Sequence, residues 1–460
     1  MKKDKVIVVG GGVGGYPAAI RAARLGADVT LIEKSDIGGV CLNRGCIPSK
    51  VFLNSASVYR EIKKASVFGV ITENVAIDYS KVLARKKAIV TRLTGGVAAL
   101  LRSKKIRLIT GTASFIESKK MKIMETEEIL TADKIILATG SLPARLAIDG
   151  SDKANMLTSN ELLNLDTLPD SILIIGGGYI GVELGQFLGR MGVQVTIVEM
   201  LNRIVPTEDE EIGKALEAAL TKEGINILTG ASVEKIETNG KIKKVTLSTP
   251  QGKKTIAASE VAQTVGRRPY YEGLNIEKIG LKIEKGRIAV NGKMETNIPG
   301  IYAVGDVIGG IMLAHVAMAE GECAARNALG GSSVLSYRAV PRCIYTSPEV
   351  ACVGLTENSA REQTREIQVA RFPLYAAGKA LLMEESEGMV KIIASKTHGE
   401  ILGVHIIGPH ATEMIAEAVF AMEMEATVEE LAHSIHPHPT VSEGVCEAAM
   451  MLCGGAVHIP

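Results

Sequence analysis

Cys41 and Cys46 sit in the run Gly38-Gly39-Val40-Cys41-Leu42-Asn43-Arg44-Gly45-Cys46-Ile47-Pro48-Ser49-Lys50. Two thiols this close in sequence can cycle between dithiol and disulfide, or contribute to a metal site. On a regular helix their Cα atoms would lie ~8 to 9 Å apart, beyond the ~7 Å that a disulfide tolerates. A bridge therefore requires a distorted helix start. Gly38, Gly39, Gly45 and Pro48 are the residues that loosen one, and a bond closed under such constraint reduces easily. Metal ligation ordinarily uses tighter spacing and a second pair, which the sequence lacks. The other cysteines, Cys323, Cys343, Cys352, Cys446 and Cys453, read as buried small hydrophobes. Near the C-terminus, Ile435-His436-Pro437-His438-Pro439-Thr440-Val441-Ser442-Glu443 holds two of the eight histidines. A carboxylate close to His438 can orient its ring and raise its basicity, which suits an acid-base partner for a thiol. The plainer reading is a surface loop, and a metal at His436 and His438 lacks further ligands nearby.

The elements that must position these groups begin at residue 6. Val6 to Val9 reads as a buried strand, Gly10-Gly11-Gly12-Val13-Gly14-Gly15 supplies Gly-x-Gly-x-x-Gly, and Pro17 to Leu25 reads as a helix. A second strand, Val29 to Ile32, ends at Glu33, twenty-three residues after Gly10. Glycines here permit a tight turn and close approach of a pyrophosphate, and the acid can bond ribose hydroxyls. The unit recurs: Ile172 to Ile175, then Gly176-Gly177-Gly178-Tyr179-Ile180-Gly181, an apolar helix to about Met191, and Val195 to Val198 ending at Glu199, again twenty-three residues on. Two such units imply two dinucleotides. The Glu199 carboxylate would repel a 2′-phosphate, so the second site should take NAD rather than NADP.

The length of 460 residues suggests two or three domains. Lys plus Arg (52) balances Asp plus Glu (51), so no global field draws the chain to nucleic acid or anionic lipid. The apolar run after Met1-Lys2-Lys3-Asp4-Lys5 stops after four residues, too short for an export signal. No stretch is apolar enough for a membrane helix, and a cytoplasmic location is expected, where a disulfide is more often catalytic than structural. Residues 62 to 101 read as largely helical, broken at Gly69 and Gly95-Gly96. Ile135 to Gly140 is a strand and its turn, Val261 to Pro269 the return from the second unit, and Thr296 to Asp306 a short strand delivering an aspartate. From Ser336 onward, Val369 to Pro373, Val390 to Ala394 and Ile401 to Ile407 read as antiparallel strands and Ala411 to Glu425 as a helix. The expected fold is α/β: two Rossmann-like dinucleotide-binding domains plus a C-terminal α+β domain. Its divisions are 1–145 and 265–335 for the first nucleotide domain, 146–264 for the second, and 336–460 for the last.

The ordered set of Gly10 to Gly15, Cys41 to Lys50, Gly176 to Glu183, Gly305-Asp306 and His438-Pro439-Thr440 with Glu443 resembles the pyridine nucleotide-disulfide oxidoreductases, over essentially the whole chain. Within them it is most similar to the branch that oxidises dihydrolipoamide. The resemblance implies that Gly10, Gly12, Gly15, Glu33, Lys50, Thr139, Gly140, Asp306, Ala314 and His315 hold FAD. It implies that Gly176, Gly178, Tyr179, Gly181, Glu199 and Gly266 hold NAD, Tyr179 covering the flavin until nicotinamide enters. Cys46 would be the charge-transfer thiolate against the flavin, Cys41 the thiol that exchanges with the substrate, and Lys50 with Glu183 an ion pair beside the flavin. His438, oriented by Glu443, would be the base, reaching the site from the other subunit of a homodimer whose last domain is the dimerisation domain. The implied substrate is dihydrolipoamide on a lipoylated acyltransferase or a glycine cleavage carrier protein, and docking is expected through the folded surface. No metal, nucleic acid or membrane is implied. Departures from the family pattern are Val13, Tyr270 and Val316, where proline, asparagine and lysine are frequent. Rival readings are a glutathione-, mycothione- or mercuric-type reductase, and an idle flavoprotein scaffold. Against the mercuric type, the C-terminal end has only Cys446 and Cys453, seven apart.

Overall fold

The computed structural model describes residues 3–363 and 366–459, and three large sheets organise them. The first has five parallel strands, in the order Ile301–Ala303, Lys134–Leu137, Lys5–Val9, Asp28–Glu33 and Arg107–Thr110. Val6 to Val9 and Ile135 to Leu137 are buried throughout, as continuous apolar runs must be when helices cover a parallel sheet. One cover is the pair of packed helices Gly15–Arg24 and Ala314–Ala328. The edge strand Ile301–Ala303 comes from far down the chain and leads into the turn that carries Asp306.

The second sheet is also parallel, in the order Asn226–Leu228, Gln194–Val198, Ser171–Ile175 and Glu260–Gln263. The third is antiparallel, in the order Arg342–Ile344, Glu349–Gly354, Ile401–Gly408, Met389–Ser395 and Ile367–Pro373. Helices Ala411–Glu423 and Glu443–Cys453 pack on it. This is the expected α/β class with two nucleotide-type sheets and a C-terminal α+β unit.

The expectation for residues 62 to 101 needs correction. A helix does run on from Cys46 to Lys64 and the chain does break at Gly69, whose φ is +75°. The next helix starts only at Tyr79, where the Asp78 side chain accepts the Lys81 amide, and it continues through Gly95-Gly96 to Ser103. Both glycines face open space, and burial of Val97 and Leu101 on the other face outweighs their weak helix preference, ~1 kcal/mol each.

The second nucleotide unit is fastened to the antiparallel sheet by a buried lysine. Lys391, with its side chain 2% exposed, lies 2.8 Å from Asp209, 2.9 Å from Glu357 and 3.1 Å from Glu211. Removing that one cation leaves the carboxylates facing each other, with only the partly exposed Arg371 beside Glu211 and Glu357 and the exposed Arg361 beside Glu357, and, among the described residues, with no cation on Asp209. Lys391→Met should therefore cost about 3 kcal/mol, read as a lowered midpoint in thermal unfolding. An unchanged midpoint would mean that the acids relax into water without loss.

Candidate active site

Both glycine turns fit dinucleotides on steric grounds. Gly10 has φ +102°, and a Cβ there would sit 2.2 Å from the Ala138 carbonyl oxygen; one on Gly15 would sit 1.8 Å from that of Gly10. The helix can press on the strand only because Cβ is missing at these two positions. The corresponding collisions are 2.8 Å from Gly176 to Thr264 O and 2.0 Å from Gly181 to Gly176 O. Gly178 faces open space, and the nearest heavy atom to a Cβ on Gly12 is 3.7 Å away, so both turns present bare backbone to the interior. The two acids are held alike. Glu33 accepts the Gly11 and Ser35 amides at 2.6 and 2.8 Å, and Glu199 accepts the Gly177 and Leu201 amides at 2.7 and 2.9 Å. Each carboxylate is thereby fixed at the lip of its turn.

One cavity of about 2030 Å³ runs between the turns, and Gly10, Gly12, Glu33, Thr139, Gly140, Asp306, Ala314, His315, Gly176, Gly178, Tyr179, Glu199 and Gly266 all line it. It is larger than the ~300 to 1,000 Å³ of a small-molecule site, which suits two dinucleotides laid end to end. Gly15→Ala should give protein that purifies without bound flavin, checked by the visible absorbance of the isolated chain. A yellow, stoichiometric variant would show that the turn can widen.

Cys41 and Cys46 both line this cavity, and the distorted helix start is real. Gly38 and Gly39 have φ of +94° and +58°, and a Cβ on Gly39 would lie 2.6 Å from Gly12 Cα, so the cysteine segment is pressed onto the first turn. Cys41 lies in the short helix Gly39–Arg44; Gly45, at φ −150° and ψ −112°, breaks the helix, and Cys46 opens the helix Cys46–Lys64. Both cysteines are unbonded thiols. The hydrogen bond from Cys41 lowers the pKa of Cys46, with the Lys50 charge adding to it against the cost of burial. The same bond, with burial, pushes Cys41 up. Of the two, Cys46 is the one disposed to ionise.

Lys50, one helical turn beyond Cys46, reaches Glu183 at 2.8 and 3.0 Å. Glu183 is buried, accepts the Tyr345 amide at 2.9 Å, and so turns Lys50, which also lies 4.4 Å from the Tyr345 ring centre. Asp306 accepts the Ser141 hydroxyl and lies 3.7 Å from Arg267, which donates to Ser141 Oγ at 2.7 Å. Arg267 and Ser141 were not among the expected site residues. Arg267 could have been noticed as a cation directly behind the buried strand ending at Gln263, whereas Ser141 carries no signal of its own.

His438 does not join the cysteines. Its ring is 75% exposed, away from the cavity lining, and Nδ1 lies 2.8 Å from Glu443 Oε1. A carboxylate can only accept, so Nδ1 carries the proton and Nε2 points outward with a free lone pair. Glu443 Oε2 accepts the Thr440 amide at 2.8 Å, which fixes the pair. His436 instead lies 2.8 Å from a different acid, Glu417. Two cysteine expectations are corrected. Cys323, Cys352 and Cys446 are buried, but Cys453 ends the last helix facing solvent, and Cys343 is half-buried on a strand that opens into the cavity.

Residues 4–321 match the family described as pyridine nucleotide-disulphide oxidoreductase, and residues 340–449 match its dimerisation domain. A dihydrolipoyl dehydrogenase of Bacillus subtilis is 42% identical, covering 98% of each chain. One from Thermus scotoductus is also 42% identical, covering 100% of this chain and 99% of its own. Among solved structures, LpdA of Mycobacterium tuberculosis superposes with a TM-score of 0.90 at 29% identity, over 98% of this chain and 99% of that one. The HOCl-induced flavoprotein disulfide reductase RclA of Escherichia coli gives 0.87 at 27% identity, over 97% and 99%.

Proposed function

Since this chain belongs to the pyridine nucleotide-disulphide oxidoreductases, we propose that it oxidises dihydrolipoamide to lipoamide through Cys41 and Cys46, with FAD and NAD as its cofactors. The observation that carries this reading is the opening of the sulfur pair onto a cavity lined by both acid-tipped glycine turns. Residues 1–145 and 265–335 form the FAD domain, 146–264 the NAD domain and 336–460 the dimerisation domain in this reading. When bound, FAD takes an electron pair from the enzyme dithiol and NAD carries it away as hydride.

The chain's own residues perform the sulfur chemistry. His438 Nε2 removes the proton from one substrate thiol, the role for which Glu443 fixes its tautomer. The substrate thiolate attacks Cys41 in the oxidised enzyme; the Cys41–Cys46 bond breaks and Cys46 leaves as a thiolate, stabilised by the nearby Lys50 charge. The second substrate thiol then attacks the sulfur joined to Cys41. The substrate disulfide closes, and Cys41 leaves as a thiolate that takes up the proton of the second substrate thiol. Two electrons and two protons have moved from substrate to enzyme, one proton resting on His438.

Because His438 faces away from its own cysteines, it is proposed to serve the cavity of a second copy. The dimerisation-domain match supports that homodimer, as do apolar side chains left exposed near the loop: Phe420 (69%), Met424 (64%) and Ile435 (100%). The substrate arm would belong to a lipoylated acyltransferase or a glycine cleavage carrier protein, and the cytoplasm is the proposed compartment. Among the described residues, no helix is long and apolar enough to cross a membrane. The rival is a reductase of another disulfide, a reading the likeness to RclA keeps in view. Glu199 at the second turn disfavours the 2′-phosphate of NADP. Turnover of dihydrolipoamide with NAD, set against glutathione disulfide with NADPH, decides between them: faster turnover of the second pair would overturn the proposal.

A further inference from the structure

Behind the Tyr179 end of the cavity lies a buried polar cluster that the sulfur chemistry does not use. Glu208, 1% exposed, sits in the turn before the helix Glu210–Lys222. Arg342, on the first strand of the antiparallel sheet, donates to both of its oxygens, at 3.0 and 3.2 Å. The Tyr179 hydroxyl donates to the same carboxylate. Cys352 and His405 lie against it, their ligand-type atoms and that of Glu208 all within 4.8 Å of one another. His405 has Nε2 on the Leu355 carbonyl at 2.8 Å and a buried Nδ1 without a partner. With a guanidinium already on both carboxylate oxygens, the group is an anchor for a hydroxyl donor rather than a seat for a second cation.

Tyr179 is the first residue of the helix Tyr179–Arg190, directly after the second glycine turn, and one turn later Glu183 holds Lys50. Tyr179, Glu183, Lys50, Cys46 and Arg342 all line the cavity. A nucleotide seated on Gly176 to Glu199 would pass the phenol on its way toward the sulfurs. We propose that Glu208, backed by Arg342, is a positioning residue that latches the Tyr179 side chain across this end of the cavity, so that NAD breaks the Tyr179–Glu208 hydrogen bond as it enters. The proposal rests on the reading above that Gly176 to Glu199 is the NAD site.

Burial opposes the charge on Glu208, but Arg342 and the bonds from Arg342 and Tyr179 outweigh it and hold the carboxyl below its usual range. Burial, then the neighbouring Glu208 charge, raises the Tyr179 hydroxyl, which keeps it a donor. The bond is therefore charge-assisted, stronger than one between neutral groups. A latch that must open lowers the apparent affinity of whatever opens it.

The test is equilibrium binding of NAD to the FAD-loaded protein, followed by flavin fluorescence, with KM and kcat for NAD measured in parallel. Glu208→Gln and Tyr179→Phe should each tighten NAD binding roughly tenfold, the equivalent of about 1.4 kcal/mol. The double variant should tighten it no further, because both changes remove the same bond. KM should fall with them, by more than kcat changes. Additive effects, or unchanged affinity in Tyr179→Phe, would overturn the latch. Tyr179→Phe leaves the Glu208–Arg342 pair in place, so it decides the matter even if Glu208→Gln fails to fold. Tyr179→Ala tests the underlying reading separately: NAD affinity indifferent to loss of the whole ring would remove Tyr179 from the NAD site, latch or no latch.

Discussion

Replacing His438 with glutamine is expected to slow dihydrolipoamide oxidation ~10²-fold or more, the scale of a lost general base, while NADH-driven reduction of an artificial dye continues nearly unchanged. The asymmetry follows from position. His438 stands on an exposed loop, 2.8 Å from Glu443 and away from the cavity that the glycine turns line, so only the half of the cycle that handles substrate protons needs it. Glutamine keeps a hydrogen-bonding side chain toward Glu443 but supplies no basic nitrogen. Equal loss of both activities would strip His438 of this role.

Cys46→Ser is expected to abolish dithiol oxidation, by roughly 10³-fold or more on the scale that losing one member of a catalytic set costs. The flavin should still bind, and the two-electron-reduced protein should lack the long-wavelength absorbance of a thiolate against the flavin. Survival of that absorbance would take Cys46 out of the position assigned to it. Combining the two variants tests the subunit assignment directly. In a mixed dimer of His438→Gln and Cys46→Ser chains, one site has both defects and the other has neither, provided that the histidine acts across the interface. Mixing two nearly inactive preparations should then recover activity approaching that of one intact site per mixed dimer. If the histidine served its own chain, every site would stay defective and nothing would be recovered.

Much of this was legible in the sequence because the constraints are local. A turn that needs no Cβ must be glycine, and an acid at the end of the next strand has a fixed separation from it, so Gly10 with Glu33 and Gly176 with Glu199 announced themselves through spacing. The break between Cys41 and Cys46 was readable too, since Gly45 is where a helix yields. What escaped depends on distant neighbours. Glu208 lies in the run Glu208-Asp209-Glu210-Glu211, which resembles a solvated helix start. Its burial follows from Arg342, 134 residues away. Gly95-Gly96 looked like a break because local preference says nothing of Val97 and Leu101 packing on the opposite face. Cys343 reads as a core residue in the sequence because nothing in its surroundings marks a strand as bordering an opening.

The edge position of strand Ile301–Ala303 in the first sheet, beside Lys134–Leu137, has a consequence for biosynthesis. The second sheet is built wholly from residues 171–263, so it has all its strands while the first still lacks one. As the polypeptide leaves the ribosome, the later nucleotide-type sheet can therefore be complete before the earlier one, which waits for the edge strand that leads into the Asp306 turn. Such long-range closure is slow.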